Sequence, residues 1–331
     1  MGQEGVRIMM KVRMLVLLDI LHELTDEEHI MNSKSLLAEL NRRGHETDRR
    51  SVYRDIEALT DYGFDIVTTS KGFYLRRRRF TLAEVMLLIS AVQAAPFVTR
   101  SKTDQLMEKL TGFLSVYQQE GIKNASNISG VKFGNEEVYR TIEMINCGIA
   151  AKKKISFLYY KRSIMRRDVV QRRGKRYNVS PYAMVWVQDR YYLIANMDGK
   201  EDIINFRLDR IRDVRIEDAP VRPVSEVSDY GDEFDAVDYA SKCLNMFGGE
   251  VKRITLRCDM ALLNELFDRF GEEIPVRKDG EEHFIARIEA ADSDGTVNWI
   301  CQFGSKIEVT DPPEVRERVR ERLVSAAALY D

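Results

Sequence analysis

The sequence has few of the residues that usually hold metals or form covalent catalytic centres. Its 331 residues include only four cysteines and four histidines. The cysteines lie far apart, with no Cys-x-x-Cys pair of the kind that zinc sites use. The histidines are not clustered and accompany no cysteine or serine motif, so no acid, base or nucleophile is positioned. We therefore expect no metal site, and we assign the cysteines a structural role.

Long apolar runs and phosphate-binding loops are also missing. A membrane helix needs about 20 consecutive apolar residues. The best early stretch, at 14–20, is too short and already contains Asp19. The chain has no glycine-rich phosphate loop either. These absences predict a cytoplasmic protein without a cofactor and without contact to a membrane, and we do not expect an enzyme.

An excess of one charge is absent too, because 51 basic and 53 acidic side chains leave a net charge of −2. Net charge alone therefore does not indicate a nucleic-acid partner. The chain is 44% hydrophobic and 31% charged, which is enough apolar material for packed cores. At roughly 150 residues per domain, its length predicts two or three domains.

Apolar periodicity at the N-terminus predicts three short helices followed by two strands. The helices fall at about 12–22, near 36–40 and from 47 to 62, where Gly63 ends the third. The strands fall at 64–69 and 73–75, around a turn at 70–72. Three helices and a hairpin predict a winged helix-turn-helix over residues 1–79.

The rest of the chain predicts four further segments, which make the whole a multidomain α+β protein. Two long apolar stripes, at 81–94 and 102–120, predict a helical linker over 80–135. Short strand-like runs predict a small β-barrel over 136–218. Residues 217–240 carry eight acidic residues and a single basic one, Arg222, so 219–250 is interpreted as an acidic linker. Alternating strands and helices predict an α+β domain over 251–331.

The third N-terminal helix presents two different faces. On a helical wheel with Arg49 at the origin, the side chains of Arg50, Tyr53 and Arg54 fall between about 40 and 140 degrees, and an apolar stripe lies opposite. An α-helix fits the major groove of DNA, where guanidinium groups can bond guanine edges or phosphates. The candidate DNA-binding residues are Arg49, Arg50, Ser51, Tyr53, Arg54 and, at the hairpin tip, Lys71.

The four arginines at 76–79 are further candidates for phosphate contacts. The alternative is an ordinary solvated helix face, because residues 1–79 carry fourteen basic and thirteen acidic side chains and are nearly neutral.

The strongest local charge lies at 150–176, where eleven Lys and Arg accompany one acid, Asp168, for a local net charge of +10. Phe157, Tyr159 and Tyr160 are interleaved with these charges. Positive charge with aromatic rings suits a partner that has both phosphates and stackable bases. The alternative is a basic outer surface whose aromatic side chains belong to the core.

Several motifs resemble one family of bacterial regulators. Val-Tyr-Arg-Asp-Ile at 52–56 and Lys-Gly-Phe-Tyr-Leu at 71–75 resemble the winged helix of DeoR-like and WYL-type regulators. The blocks at 155–160, 176–182, 190–195 and 204–211 resemble the WYL domain in order and spacing, and residues 306–316 resemble the extension that often follows it. The naming triplet stands here as Tyr191-Tyr192-Leu193, with tyrosine in place of tryptophan.

The resemblance implies a small Sm/SH3-like barrel that binds a nucleotide or single-stranded nucleic-acid effector through basic and aromatic side chains. The residues that it assigns to the effector are Ser156, Tyr159, Arg166, Tyr182, Tyr192, Arg207 and Arg210. Arg207 and Arg210 are three residues apart and face opposite sides of an extended strand. We expect one of them to pair with Asp209, and we favour Arg207 as the residue that faces the effector.

Together these features predict a homodimeric transcriptional regulator that binds duplex DNA and senses an effector. A dimer is expected because one helix covers too few base pairs for useful specificity. The alternative is a module that binds RNA or single strands without regulating a particular promoter.

Overall fold

The computed structural model describes residues 3–125, 132, 137–165, 168–231 and 233–330. The chain divides into two compact units, Met1–Lys132 and Phe133–Asp331. Both combine helices with antiparallel sheets, as the predicted mixed α+β class requires. Among the described residues, no helix is both long and apolar enough to cross a membrane, and no cluster of metal-binding side chains is found.

The N-terminal unit begins with three helices and a two-stranded hairpin. They are α1 (Gln3–Leu24), α2 (Ser33–Arg42), α3 (Arg49–Tyr62), β1 (Ile66–Thr69) and β2 (Gly72–Leu75). Asn32 caps α2 and Asp48 caps α3, each through a side-chain oxygen that accepts a backbone N–H, and Gly63 ends α3 with φ 114°. The element order agrees with the prediction, although α1 begins earlier than the periodicity indicated.

A shared apolar core holds these elements together. Leu17 of α1, Leu36 of α2 and Val52 of α3 are fully buried, and Phe73 of β2 joins them at 2% exposure. Gly72 must be glycine, because a Cβ there would lie 2.2 Å from the Met31 carbonyl oxygen. That close approach lets Met31 and Phe73 exchange two backbone hydrogen bonds of 2.8 and 3.0 Å.

Three more helices complete this unit: α4 (Leu82–Ala94), α5 (Arg100–Thr111) and α6 (Val116–Ala125). The sequence predicted two helices here. The second, at 102–120, is wrong in extent, because two helices, α5 and α6, occupy this part of the chain. Gly112 ends α5, and Ser115 accepts a hydrogen bond from the Gln118 amide at the start of α6. The periodic stripe continued across this break because Leu114 and Ile122 are buried in one cluster with Val85 of α4.

The second unit starts with α7 (Val138–Ala150) and a six-stranded antiparallel sheet. Its strands are β3 (Lys153–Arg162), β4 (Asp168–Val170), β5 (Tyr177–Val187), β6 (Arg190–Met197), β7 (Ile203–Arg207) and β8 (Ile211–Pro220). The strand order is β4-β3-β5-β6-β7, and β8 also pairs with β3. Ile145 of α7 packs on Phe157 and Leu193 in a core at or near zero exposure.

Two strands of this sheet differ from the prediction. The runs at 176–179 and 183–187 form one strand, β5, with an irregularity between Pro181 and Ala183. No strand was predicted at the position of β8. Its pairing with β3 shifts register twice, and Asp213 has φ 52°, so its apolar residues do not alternate regularly.

The segment that follows β8 was interpreted as an acidic linker, and the structure corrects this. It contains α8 (Ala236–Lys242), and Ala240, Cys243 and Met246 are buried against Tyr192 and Ile194 of the sheet. Ring contacts hold it further, since Phe234 lies 5.9 Å from Tyr182 between ring centroids. Acidic side chains mark the exposed face of a packed segment.

The C-terminal part has a four-stranded antiparallel sheet with three helices. In chain order they are β9 (Val251–Asp259), α9 (Leu263–Phe270), β10 (Val276–Asp279), β11 (His283–Ala291), α10 (Asp294–Cys301), β12 (Ile307–Asp311) and α11 (Pro313–Ala327). The strand order is β10-β11-β9-β12. The sequence predicted neither β10 nor α10. Helix α10 is eight residues long and mostly buried, with Asp294 and Asn298 as its exposed residues, so its amphipathic pattern is weak.

Candidate functional site

The exposed face of α3 carries most of the predicted DNA-binding residues. Arg49, Arg50, Tyr53 and Arg54 are exposed, whereas Val52 and its apolar neighbours on the opposite face are buried. The Arg49 guanidinium lies 5.5 Å from the Tyr53 ring centroid and donates to its hydroxyl at 3.2 Å. This hydrogen bond lowers the pKa of Tyr53.

Ser51 is an exception to this predicted surface. It is buried, and its hydroxyl and amide donate to the Asp48 carboxylate at 3.0 and 2.9 Å. Ser51 therefore stabilises the first turn of α3 and does not belong to the exposed face. On the helical wheel Ser51 falls at about 200 degrees, between the polar and the apolar face, so the wheel did not separate its capping role from a binding role.

The β1–β2 turn and the arginines after it differ in availability. Lys71 is exposed at the turn, where its backbone amide donates a hydrogen bond of 3.1 Å to Thr69 Oγ1. Arg76 pairs with Asp65 at 2.8 Å, and Arg78 donates to the carbonyls of His22 and Thr25 at the end of α1. The expectation that all four arginines at 76–79 are available to phosphates is corrected: Arg76 and Arg78 have structural partners.

The second unit contains a cavity of about 840 Å³. One wall is the sheet, through Tyr159 of β3, Tyr192 of β6 and Arg207 at the end of β7. The opposite wall is residues 245–249, which we call the strap. This volume lies within the range of about 300–1,000 Å³ typical of small-molecule sites.

Backbone geometry brings the strap against the sheet. Asn245 and Met246 adopt left-handed φ values of 52° and 58°. A Cβ on Gly248 would lie 3.3 Å from the Ile203 carbonyl, and one on Gly249 would lie 2.7 Å from the Asp292 carbonyl. The two glycines therefore allow the strap to contact the sheet on one side and the end of β11 on the other.

Asn205 of β7 connects the strap to the cavity wall. Its side-chain amide donates to the Met246 carbonyl at 2.9 Å and to the Tyr239 hydroxyl at 3.1 Å. Its buried Oδ1 has no hydrogen-bond partner among the described residues. An unpaired buried acceptor costs about 1–3 kcal/mol.

The cavity has positive charge and neutral phenols. Arg190 and Arg210 line it together with one acid, Asp202. Burial raises the pKa of Tyr159 and outweighs the opposing hydrogen bond from the Arg207 amide. Burial also raises the pKa of Tyr192. Both phenols therefore stay protonated near neutral pH and can donate hydrogen bonds, while the arginines can bind an anion.

Arg207 and Arg210 both reach the cavity because the chain bends after β7. A 3-10 turn at Leu208–Arg210 replaces the extended strand on which the prediction relied. Arg207 makes a two-point ion pair with Asp209, at 3.0 and 2.7 Å, and its side chain is 14% exposed. The expectation was that Arg207 faces the effector and Arg210 pairs with Asp209. It is corrected: Arg207 pairs with the Asp209 carboxylate, and Arg210 lies beside the Tyr159 hydroxyl.

Two of the remaining predicted effector residues, Ser156 and Tyr182, do not line the cavity. Ser156 is buried, donates to Glu217 and accepts from Arg176 at 2.9 Å, in a polar network between strands. Tyr182 donates to the Arg222 carbonyl at 3.0 Å, and burial raises its pKa to about 12. Arg166 lies outside the described residues.

Sequence reasoning identified four of the fifteen residues that line the cavity: Tyr159, Tyr192, Arg207 and Arg210. Arg190 stood in a motif that was recognised, but it was not assigned a role. Asn205 also stood in a recognised motif without an assigned role, and the strap was missed because it belonged to the presumed linker. The adjacent glycines Gly248 and Gly249 were the available indication of a close backbone approach.

Comparisons with known proteins identify two domain families in the chain. The WYL domain model matches residues 140–216, and the WCX domain model matches residues 250–327. The chain is 22% identical over 301 residues to the uncharacterized HTH-type transcriptional regulator YobV of Bacillus subtilis (strain 168), an alignment that covers 86% of this chain and 91% of that protein.

Two solved structures show more distant similarity. Proteasome accessory factor B/C (PafBC) of Arthrobacter aurescens is 17% identical with a TM-score of 0.28; the alignment covers 97% of this chain and 49% of PafBC, so the chain spans about half of its length. A CRISPR Cas-related protein is 13% identical with a TM-score of 0.37, over 89% of this chain and 77% of that one.

Proposed function

Because this chain is a WYL domain-containing transcriptional regulator, we propose that it binds duplex operator DNA through α3 and an effector in the cavity of its WYL domain. The observation that carries the proposal is the exposed arginine face of α3, opposite a fully buried Val52. Guanidinium groups on such a face are free to enter a major groove while the core stays intact.

In this proposal the N-terminal elements act as a winged helix-turn-helix. Arg49, Arg50 and Arg54 contact base edges and phosphates, and Tyr53 supports Arg49 through its ring and hydroxyl. Lys71 on the β1–β2 turn serves as the wing contact to a flanking phosphate. Contacts of the last kind add affinity without sequence preference.

The effector proposed for the cavity is a nucleotide or a short piece of single-stranded nucleic acid. Arg190 and Arg210 would bind its phosphate, and Tyr159 and Tyr192 would contact a ring or a sugar hydroxyl. The cavity volume of about 840 Å³ supports a ligand of nucleotide size. Mass spectrometry of material that co-purifies with the protein is the direct way to identify it.

DNA binding is tested by fluorescence anisotropy on the duplex upstream of the protein's own coding region. We expect Arg50→Ala and Arg54→Ala each to weaken specific binding by about 1–3 kcal/mol, which is about five- to 150-fold, because each removes a base or phosphate contact. Arg320→Ala is the matched control, since Arg320 is an exposed arginine on α11 that pairs with Glu317. Equal losses in all three variants would contradict the proposal.

The effector half has its own test. Arg210→Ala is expected to weaken nucleotide binding, measured by calorimetry with a panel of ribonucleotides, and to leave duplex binding by the free protein unchanged. Loss of both activities in a folded Arg210→Ala protein would disprove the division of labour. Uniform weak binding to every duplex, with strong binding to single strands, would favour the alternative of a general single-strand or RNA-binding module.

A further inference from the structure

One exposed acid lies on the same face of α3 as the arginines. With Arg49 at the origin of the helical wheel, Glu57 falls at about 80 degrees. This angle lies between that of Tyr53, about 40 degrees, and that of Arg54, about 140 degrees. The Glu57 side chain is exposed. Its carboxylate therefore belongs to the surface that we propose to face DNA, where a negative charge repels phosphates and is favourable only beside a hydrogen-bond donor.

The Glu57 carboxylate has no partner that neutralises it within the part of the chain that the structure describes. Asp55, two positions earlier on the same helix, is buried and accepts two hydrogen bonds from the Arg13 guanidinium of α1, at 2.7 and 3.0 Å. No described residue makes a comparable ion pair or side-chain hydrogen bond with Glu57, although Arg54 is only one turn away. The carboxylate is therefore available to a donor outside the protein.

The rise of the helix decides which exposed acids of α3 can lie within a groove. At about 1.5 Å per residue, Glu57 lies about 12 Å along the helix axis from Arg49. Asp61, the next exposed acid on this face, lies about 18 Å from Arg49. The major groove of DNA is about 12 Å wide, and recognition helices contact base edges mainly through their N-terminal residues. Glu57 is therefore within reach of the bases, and Asp61 lies beyond the edge of the groove.

One base edge in the major groove suits a carboxylate better than the others. Cytosine presents the N4 amino group, which is a donor, and no acceptor. Adenine presents its N6 amino group beside the N7 acceptor, which repels a carboxylate, whereas guanine and thymine present only acceptors there. The chemistry of the groove therefore matches a glutamate to cytosine.

We propose that Glu57 is a specificity-determining residue of α3, which accepts a hydrogen bond from the N4 amino group of a cytosine in the operator. The inference rests on the proposed function, because it requires α3 to lie in the major groove. Arg54 precedes Glu57 by three residues, which is about 4.5 Å of helix rise, and successive bases of one strand are about 3.4 Å apart. The cytosine is therefore about one or two base pairs from the position that Arg54 contacts.

Selection of bound duplexes from a randomised pool, followed by sequencing, tests the inference with the full chain. The unmodified protein is expected to enrich sites that have cytosine at one such position. In the unmodified protein this cytosine should be preferred about five- to 150-fold, the range for one good base contact, and in Glu57→Ala the preference should disappear. Glu57→Ala should not weaken binding to a duplex of unrelated sequence, because it removes no contact to a phosphate.

A second variant, Glu57→Gln, keeps the size of the side chain and changes its hydrogen bonds. The amide of glutamine has both a donor and an acceptor, which match N7 and N6 of adenine. We expect the preferred base at this one position to change from cytosine to adenine. A purely structural role of Glu57 would not produce a change of base at a single position.

Asp61→Asn is the matched control, because it removes one exposed negative charge from the same face of α3. It should leave every base preference unchanged. If Glu57→Ala keeps all base preferences, or if Asp61→Asn changes them equally, Glu57 does not read a base and the inference is wrong, while the proposed function stands. If the unmodified protein enriches no sequence, the proposed function fails and the inference fails with it.

Discussion

Single residues in this protein acquire their roles from neighbours that are distant in sequence. Ser51 and Arg54 are three positions apart on one helix, yet Ser51 caps its first turn and Arg54 faces solvent. Arg207 and Arg210 are also three apart, and a bend brings both to the same cavity. Residue type and motif identified these four residues as candidates. Their contacts in the folded protein showed which of them have structural roles.

Gly295 at the start of α10 allows a sharp stability test. A Cβ there would lie 2.1 Å from the Leu244 carbonyl oxygen, in a buried position where neither backbone can move freely. We expect Gly295→Ala to lower the free energy of unfolding by about 1–3 kcal/mol, the usual cost of overpacking. Urea denaturation measures the change.

Gly121→Ala is the control for this prediction. Gly121 lies within α6, and no atom would come within 4 Å of its Cβ. Replacing it should stabilise the protein slightly, by about 0.5–1 kcal/mol, because alanine favours the helix. Similar destabilisation by both variants would show that the close contact at Gly295 is not the cause.

At the scale of elements, Asp26 joins the end of α1 to the start of α6. Ser115 donates to its carboxylate, and His29 pairs with it at 2.7 Å. The His29 ring stacks on Tyr117, with 3.7 Å between centroids. Burial disfavours the charged carboxylate, but the hydrogen bonds from Ser115 and His29 outweigh it and lower the pKa of Asp26.

The lowered pKa of Asp26 predicts a pH dependence of stability. A carboxyl whose folded pKa lies below its ordinary value of 3.8 stabilises the fold above that value and loses this contribution as pH falls through the folded pKa. We expect Asp26→Asn to be less stable than the unmodified protein near neutral pH, with the difference shrinking below about pH 4. Thermal unfolding across pH measures it, and exposed Asp61→Asn should show no such difference.

Helix α4 supports the proposed dimer, because its apolar residues are not confined to one face. Val85 and Ile89 are buried, but Met86 and Leu87 are 42% and 71% exposed. A helix that is apolar on several sides is normally covered. We expect the protein to dimerise with increasing concentration in light scattering and Leu87→Glu to remain monomeric with weaker operator binding. Leu329→Glu, at an exposed leucine near the C-terminus, is the control; a monomer at every concentration would contradict the dimer.

At the scale of the molecule, the strap relates the cavity to the C-terminal part of the second unit. It lines the cavity through residues 245–249, and Gly249 lies against the Asp292 carbonyl at the end of β11. A ligand in the cavity therefore contacts residues that lead directly into β9. If an effector binds in the cavity as we propose, this continuity predicts that its binding changes the stability of both parts.

Hydrogen exchange tests this coupling. Addition of a bound nucleotide is expected to slow amide exchange in peptides covering the strap and β7, because the ligand closes the cavity between them. Arg210→Ala, measured at the same nucleotide concentration, should show much less protection. Protection confined to β6 and β7, with the strap unchanged, would contradict a role for the strap in binding.

The sequence by itself determined most of the helices and strands. Periodicity, capping residues and turn residues act locally, so α2, α3, the β1–β2 hairpin and β9 followed from short stretches of chain. Local charge also identified the region at 150–176. These features do not depend on distant neighbours, which is why a single sequence reveals them.

Tertiary structure decided the features that depend on contacts between distant segments. Irregular pairing hid β8, the burial of most of its residues hid α10, and packing made part of the acidic segment a wall of the cavity. Ion pairs with residues up to 65 positions away, such as that of Lys153 with Asp218, offset part of the positive charge that the sequence places on β3. Which side chains face a ligand depends on where distant segments meet, and neither composition nor spacing encodes that.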